Sequence, residues 1–111
     1  ILNIRPQVNK LKGRGKMAVF VALGNITEGG IKNLEAMGTR HKRAVERAEQ
    51  RGGKILASYA LLGQYDYLVL LEAPDIKTAM YVLTREAHGG NVRYQTMAAL
   101  PMEEFAELVQ D

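Results

Sequence analysis

The chain has 111 residues, of which 47% are hydrophobic, 24% are charged and 3 are prolines. This length suits one domain with one core, and the composition excludes a disordered chain and any apolar run near the roughly 18 residues of a membrane span. The chain contains no cysteine, which excludes disulfides, a thiol nucleophile and thiolate metal ligands, and which fits a reducing, cytoplasmic location.

Positive charge is concentrated at the start of the chain. The formal net charge is +3, and residues 1–16 carry five basic side chains and no acidic one, so the remainder has a net charge of −2. We therefore predict a basic N-terminal arm, residues 1–16, ahead of a slightly acidic domain, residues 17–111. Because the arm lacks aromatic residues and contains Pro6, Gly13 and Gly15, we expect a solvated tail, no membrane partner, and nucleic-acid contact only if this arm makes it. Met17 stands directly before the first predicted strand, which leaves open whether the arm is native or an upstream extension.

The first half of the domain predicts a strand, a long helix and a second strand. "AVFVALGNI", from Ala18, is apolar on both alternating positions and predicts a strand covered on both faces. A helix from Thr27 to Arg51 follows, with Thr27 as its N-cap and Gly52-Gly53 as its end. Its apolar stripe recurs every three or four residues: Ile31, Leu34, Gly38, His41, Val45 and Ala48. "KILASYALL" then predicts the second strand.

The second half repeats this order. A turn over residues 63–66 leads into a third strand, "YLVLLEA". Asp75 is a good N-cap for a shorter helix through about Ala87, which Gly89-Gly90 ends. "NVRYQTMAAL" predicts the fourth strand, and Pro101 at a first helical position begins a C-terminal helix.

The order βαββαβ with a tail helix predicts an α+β fold, a ferredoxin-like sandwich in which strands one and three are central. Two helices cover only one face of a four-stranded sheet, yet the central strands are apolar on both faces. Burial of the second face against another copy of the chain is the simplest solution. We therefore predict a homodimer whose sheets meet face to face.

Several segments together resemble one family. Gly63-Gln64-Tyr65-Asp66, followed by an apolar strand and Glu72-Ala73-Pro74-Asp75, resembles the signature of the GYD-domain family. "GGNVRYQTMAAL" and "MAVFVALGNITEGGIKNL" are similar to other segments of that family, although Tyr94 stands where its pattern has a small hydroxyl residue. The resemblance spans about residues 17–111. It implies a dimeric α/β barrel of two ferredoxin-like monomers, within a superfamily that includes cofactor-free monooxygenases, isomerases, haem-using enzymes and ligand-sensing domains.

The polar residues before the third strand are the first candidate site. Tyr65, Asp66 and Tyr67 are predicted ligand-binding residues, with Asp66 as a candidate catalytic base and tyrosine as a donor to an oxyanion. The structural alternative is that Gly63 supplies a positive φ, Asp66 bonds to its own backbone, and Tyr67 packs.

Arg93 and the two histidines are the other candidates. Arg93 in the fourth strand is predicted to bind an acidic ligand, the alternatives being a structural ion pair or an exposed edge position. His88 and His41 are each a candidate base or axial haem ligand. The structural alternatives are a cation favoured by a helix C-terminus for His88 and a hydrogen-bonded residue of the helix–sheet seam for His41. The histidines lie far apart without acidic clusters, so we expect no metal site and no cofactor.

These features predict a homodimer that binds or senses a small organic ligand in a cavity at the dimer interface. One alternative is a cofactor-independent monooxygenase or isomerase that uses Tyr65, Asp66, His88 and Arg93. Another is a purely structural interaction domain. A cavity with two or more convergent polar groups supports binding or catalysis, whereas a filled interior supports the structural alternative.

Overall fold

The computed structural model describes residues 17–110, so the predicted basic arm, residues 1–16, lies outside the described residues. The strands are β1 (Ala18–Ile26), β2 (Lys54–Ala60), β3 (Tyr67–Ala73) and β4 (Val92–Ala99). The α-helices are α1 (Glu28–Lys32), α2 (Met37–Gln50), α3 (Ile76–His88) and α4 (Met102–Val109). A 3-10 turn, Leu34–Ala36, joins α1 to α2.

The strands form one antiparallel sheet in the order β2-β3-β1-β4. Phe20 of β1 lies opposite Leu71 of β3 on one side and Ala98 of β4 on the other. Strands β1 and β3 are therefore central and β2 and β4 are edges, which confirms the prediction. The chain order of the elements and the sheet order together give the predicted α+β, ferredoxin-like fold.

The prediction of one helix from Thr27 to Arg51 is wrong, because this segment is divided into α1, a 3-10 turn and α2. Thr27 does cap the first piece, since its hydroxyl accepts a hydrogen bond from Gly30 N at 3.0 Å. The piece ends at Asn33, where φ is −115° and ψ is 28°. Asn33 Nδ2 donates to the Gly29 carbonyl at 3.2 Å, so its side chain competes with the regular backbone bonds in a segment that two glycines already weaken as a helix.

The caps predicted around the second long helix are confirmed. Asp75 Oδ1 accepts from Thr78 N at 2.8 Å, and the chain after α3 turns at Gly90 with φ of +80°. The C-terminal helix is also present, but Pro101 is its N-cap and not its first helical residue, because ψ there is 141°. Among residues 17–110, no helix combines the length and the apolar character needed to cross a membrane.

The core lies between the sheet and the helices α2 and α3. Every second residue of the central strands is buried on this side, including Phe20, Ala22, Val69, Leu71 and Ala73. The helix residues packed against them are Ala48, Ala79, Val82 and Leu83. Three of these four helix residues are alanine or valine, and their small side chains allow the helix axes to lie close to the sheet.

The opposite side of the sheet is not covered by α2 or α3. Most residues of the central strands on this side are apolar and partly exposed: Val19, Val21, Leu23, Leu68 and Leu70, whereas the polar residues Asn25 and Glu72 lie toward its two ends. Val21 lies directly opposite Leu70 on β3 and Met97 on β4, so apolar side chains adjoin across three strands. We call this surface, formed by these five residues and Met97, the open face.

Gly30 allows α1 to lie against the segment before β4. A Cβ on Gly30 would lie 2.1 Å from the Asn91 carbonyl oxygen, whereas a Cβ on Gly38 in α2 would meet nothing within 4 Å. We expect Gly30→Ala to lower the free energy of unfolding by about 1–3 kcal/mol through overpacking. The control Gly38→Ala should raise it by about 0.5 kcal/mol through helix propensity. Urea unfolding measures both, and a Gly30→Ala protein as stable as wild type would contradict this close approach.

Candidate functional site

A cavity of about 350 Å³ lies between α2, α3 and the helix-facing side of the sheet. Most of its wall is apolar, and the wall residues include Ala44, Ile55, Val69, Val82, Leu83 and Val92. Several of them belong to the core, so strand alternation and helix periodicity place their side chains. The space is within the size range of cavities that hold small organic molecules.

Two phenols enter this cavity from the sheet. Tyr67 on β3 and Tyr94 on β4 both pair with Gly24 of β1, so they lie on either side of that glycine. A Cβ on Gly24 would lie 2.8 Å from Tyr94 Cε1, so the absence of a side chain makes room for the ring. Burial raises the pKa of Tyr94 to about 12, and burial also raises the pKa of Tyr67. Both phenols therefore keep their protons at neutral pH and can donate hydrogen bonds.

An ion pair joins the two long helices at the edge of the cavity. Arg47 Nη1 of α2 lies 2.6 Å from Glu86 Oε2 of α3, and Glu86 lines the cavity. Burial raises the pKa of Glu86, although the adjacent Arg47 guanidinium acts in the opposite direction. The Glu86 carboxylate is thus already bound by a protein cation, as a partly buried charge requires.

Arg40 and Ser58 also line the cavity. Arg40 is half-buried at the N-terminal end of α2, where its Nη1 donates to the Asn33 carbonyl at 2.8 Å. Ser58 Oγ on β2 is buried, and no group among residues 17–110 forms a hydrogen bond with it. A buried hydroxyl left without a partner costs about 1–3 kcal/mol, so a ligand or a water molecule that bonds to Ser58 would be stabilised there.

A second cavity, of about 430 Å³, lies between α3 and the edge strand β4. Phe20, Met80 and Ala98 are among its apolar residues, Thr84 and Thr96 carry its hydroxyl groups, and Tyr94 borders both cavities. None of the described residues that line it carries a charge. The first cavity therefore offers more chemistry for specific recognition, and we call it the helix–sheet cavity.

The structure separates the three residues predicted before the third strand. Asp66 Oδ2 accepts from Ile26 N at 2.8 Å, and Asp66 N donates to the Gly24 carbonyl at 2.8 Å. Its carboxylate therefore connects the turn to β1, which is a structural role, although the bond is to Ile26 and not to its own backbone as the structural alternative had it. Tyr65 Oη donates to Gln95 Oε1 at 2.8 Å, and only Tyr67 of the three lines the helix–sheet cavity.

The remaining predicted residues lie at other places. Arg93 is exposed on the edge strand β4, opposite Asn25 of β1. His88 is exposed at the last position of α3 and does not line the helix–sheet cavity. His41 is exposed but lines the cavity at its α2 side. Within residues 17–110, no cluster of three or more His, Cys, Asp or Glu side chains could hold a metal ion.

The sequence prediction did not include Tyr94, Ser58, Glu86 or Arg40 among the site residues, although three of them carried a signal. Tyr94 departs from the family pattern at its position. Glu86 is a charged residue three or four positions after the buried Val82 and Leu83, and Arg40 is four positions before the buried Ala44. A charge on the buried side of an amphipathic helix indicates a partner or a site. Ser58 carried no signal that distinguishes it from an ordinary strand residue.

The sheet order and the cavity between helices and sheet define a ferredoxin-like α+β domain with a ligand-sized interior space. Residues 20–109 match the family model described as the GYD domain. The chain therefore belongs to the GYD-domain family, which confirms the resemblance seen in the sequence. It is also 30% identical over 90 residues to a protein of Thermus thermophilus named "Glutamine synthetase and cystathionine beta-lyase binding protein", and the match covers 80% of this chain and 95% of that relative.

Proposed function

We propose that this protein is a cytoplasmic homodimer in which each chain binds a small organic molecule in its helix–sheet cavity. The observation that carries the proposal is the cavity of about 350 Å³ with an apolar wall and several converging polar groups. Tyr67, Tyr94 and Ser58 provide hydroxyl groups, and Arg40 provides a charged donor. Apolar walls with a few placed polar groups are typical of ligand sites.

The proposed ligand position differs from the sequence expectation. The expected cavity was at the dimer interface, whereas the helix–sheet cavity lies on the side of the sheet away from the open face. A ligand site within each chain does not require the dimer. A cavity between two open faces stays a prediction, as do the ligand-binding roles of Tyr65, Asp66 and Arg93.

The enzymatic alternative has less support from the geometry. Asp66 and His88, the predicted catalytic groups, do not line the helix–sheet cavity, and Asp66 Oδ2 already accepts a backbone hydrogen bond. A general base must reach the proton that it removes. We therefore propose binding and not catalysis, and the catalytic roles of these two residues stay predictions.

The dimer is proposed because the open face is apolar at its centre. At about 25 cal/mol per Å² of apolar surface removed from water, covering the side chains around Val21 and Leu70 would contribute several kcal/mol. A second copy presents the same apolar surface, so a two-fold axis through the open face would match apolar residues with apolar residues. The two chains would then form the barrel that the family resemblance implies.

Val21 tests the dimer because it lies at the centre of the open face, between Leu70 and Met97. We expect wild-type protein to sediment as a dimer at micromolar concentration and Val21→Glu to sediment as a monomer, since a carboxylate would be buried unpaired in the interface. Met80→Glu makes the same chemical change at an exposed position of α3 and should leave the dimer intact. Wild-type protein that sediments as a monomer would exclude the proposed dimer.

Ala60 tests ligand binding because it lines the helix–sheet cavity and is exposed, so a larger side chain can occupy the entrance without displacing the core. With 3-phenylpropanol as probe, we expect amide NMR shift changes at Ala44, Ile55 and Val82. Ala60→Phe should weaken this binding by at least about fivefold by filling part of the space.

The matched control is Ala98→Phe, which changes an exposed alanine on the other edge strand, outside the helix–sheet cavity. It should leave the shift changes at Ala44, Ile55 and Val82 as in wild type. If millimolar probe moves none of these amide signals in wild-type protein, the proposed ligand site is wrong.

Binding to a protein partner is a second candidate function. The Thermus thermophilus relative is named as a binding protein for two enzymes. In this chain, α4 exposes apolar side chains at three- and four-residue spacing: Met102, Phe105, Leu108 and Val109. An exposed apolar helical stripe of this kind is typical of a surface that docks on another protein.

Phe105 tests this candidate because it lies in the middle of the α4 stripe and is 46% exposed. If α4 docks on an enzyme, purified glutamine synthetase or cystathionine β-lyase should bind the full chain in calorimetry, and Phe105→Glu should weaken binding by about tenfold or more. Leu62→Glu, at a fully exposed loop position, should have no effect. Failure of both enzymes to bind wild-type protein at micromolar concentration would reject this candidate for these partners.

A further inference from the structure

We propose that the helix–sheet cavity selects organic monocarboxylic acids, with the carboxylate bound by Arg40 and the apolar body held between α2, α3 and the sheet. This inference rests on the proposed ligand-binding function and adds the chemical class of the ligand. Its basis is an imbalance in the lining, where hydrogen-bond donors and positive charge exceed the available acceptors.

The acceptor side of this imbalance is Glu86. Among the cavity-lining residues, Glu86 is the one that carries a carboxylate. It lies 2.6 Å from Arg47 Nη1, so a protein cation already neutralises it. A ligand amine would gain little from this occupied carboxylate and would be repelled by the nearby guanidinium groups.

The donor side consists of hydroxyl groups and one guanidinium. The Tyr67 and Tyr94 phenols are protonated at neutral pH, and Ser58 Oγ is buried without a partner among the residues that the structure describes. A hydroxyl can also accept, but a phenol proton in a desolvated space requires an acceptor. An oxygen-rich ligand group satisfies all three residues more completely than an alkyl group or an ammonium group.

Arg40 supplies the charge. One N–H of its guanidinium donates to the Asn33 carbonyl at 2.8 Å, which holds the side chain and leaves other N–H groups to bind a ligand. The ion pair seen within residues 17–110 joins Arg47 and Glu86. The charge of Arg40 also acts on the Glu86 carboxylate, in the direction that lowers its pKa, so two guanidinium groups share this single carboxylate and one positive charge remains in excess. Guanidinium and carboxylate match in geometry as well as in charge.

The size of the charge favours a monoanion. Within residues 17–110, Arg40 and Arg47 share the Glu86 carboxylate, which leaves one positive charge in excess, and His41 at the α2 side is exposed to solvent. A dianionic phosphate would leave one negative charge uncompensated beside the apolar wall, which is costly. Apolar residues such as Ile55, Val69 and Val82 then suit an aromatic or aliphatic body.

Three probes of the same shape test this selectivity: 3-phenylpropanoate, 3-phenylpropanamide and 3-phenylpropanol, each titrated into the full chain at neutral pH by calorimetry and amide NMR. We expect the acid to bind about tenfold or more tightly than the amide and the alcohol, as charge-assisted hydrogen bonds to Arg40 require. Arg40→Gln should reduce the affinity for the acid to that for the amide, with little change for the two neutral probes.

Two further variants make the result specific. Arg43→Gln removes one positive charge from an exposed position of α2 outside the cavity lining, and it should retain the preference for the acid. Arg40→Lys keeps the positive charge but lacks the planar guanidinium, so it should retain part of the preference for the acid. This variant reports the effect of the charge even if Arg40→Gln also alters α2 through the loss of the hydrogen bond to the Asn33 carbonyl.

The outcomes separate this inference from the proposed function. If the neutral probes shift the cavity amides but the acid binds no more tightly, ligand binding stands and acid selectivity is overturned. If Arg40→Gln keeps the full preference, Arg40 is not the carboxylate-binding residue and the inference is overturned. If none of the three probes shifts the cavity amides, the proposed ligand site fails together with this inference.

Discussion

The packing of two helices on one face of a four-stranded sheet is the constraint on which the rest of this structure depends. Residues of α2 and α3 pack against the same side of the sheet, so these two helices leave the other side uncovered. Phe20 and Leu71 are buried beneath these helices, whereas Val21 and Leu70, their neighbours along the same strands, lie on the open face. The same alternation that builds the core therefore places apolar side chains on the open face as well.

The helix–sheet seam also contains the cavity in which we propose that a ligand binds. Small residues such as Ala44 and Gly24 line or border the region where the helices meet the sheet, while the Tyr67 and Tyr94 rings enter it from two different strands. The Arg47–Glu86 pair crosses from α2 to α3 beside this space. Because that pair occupies the partly buried Glu86 carboxylate, the polar groups left in the cavity are hydroxyl groups and the Arg40 guanidinium.

The segment that identifies the family acts mainly on the sheet, not in the cavity. Asp66 binds the backbone of both Gly24 and Ile26, so it orders the end of β1 that separates the two phenols. Gly24 thus connects the turn to the site, because its carbonyl is bound by Asp66 and its missing side chain makes room for Tyr94. Asp66, which the sequence predicted as a catalytic base, thus stabilises the backbone at Gly24, beside the Tyr94 ring.

The sequence by itself determined the strands, the caps at Thr27 and Asp75, the order of elements and the family, because alternation, capping and turn chemistry depend on near neighbours. Only the tertiary structure decided the rest. The break at Asn33 accompanies a close approach of Gly30 to Asn91, which is distant in sequence. The cavity likewise combines side chains from α2, α3 and three strands, and its ion pair joins residues 39 positions apart. No local sequence pattern predicts contacts between residues so far apart in the chain. They arise from how the helices and strands pack, and not from the propensity of any one element.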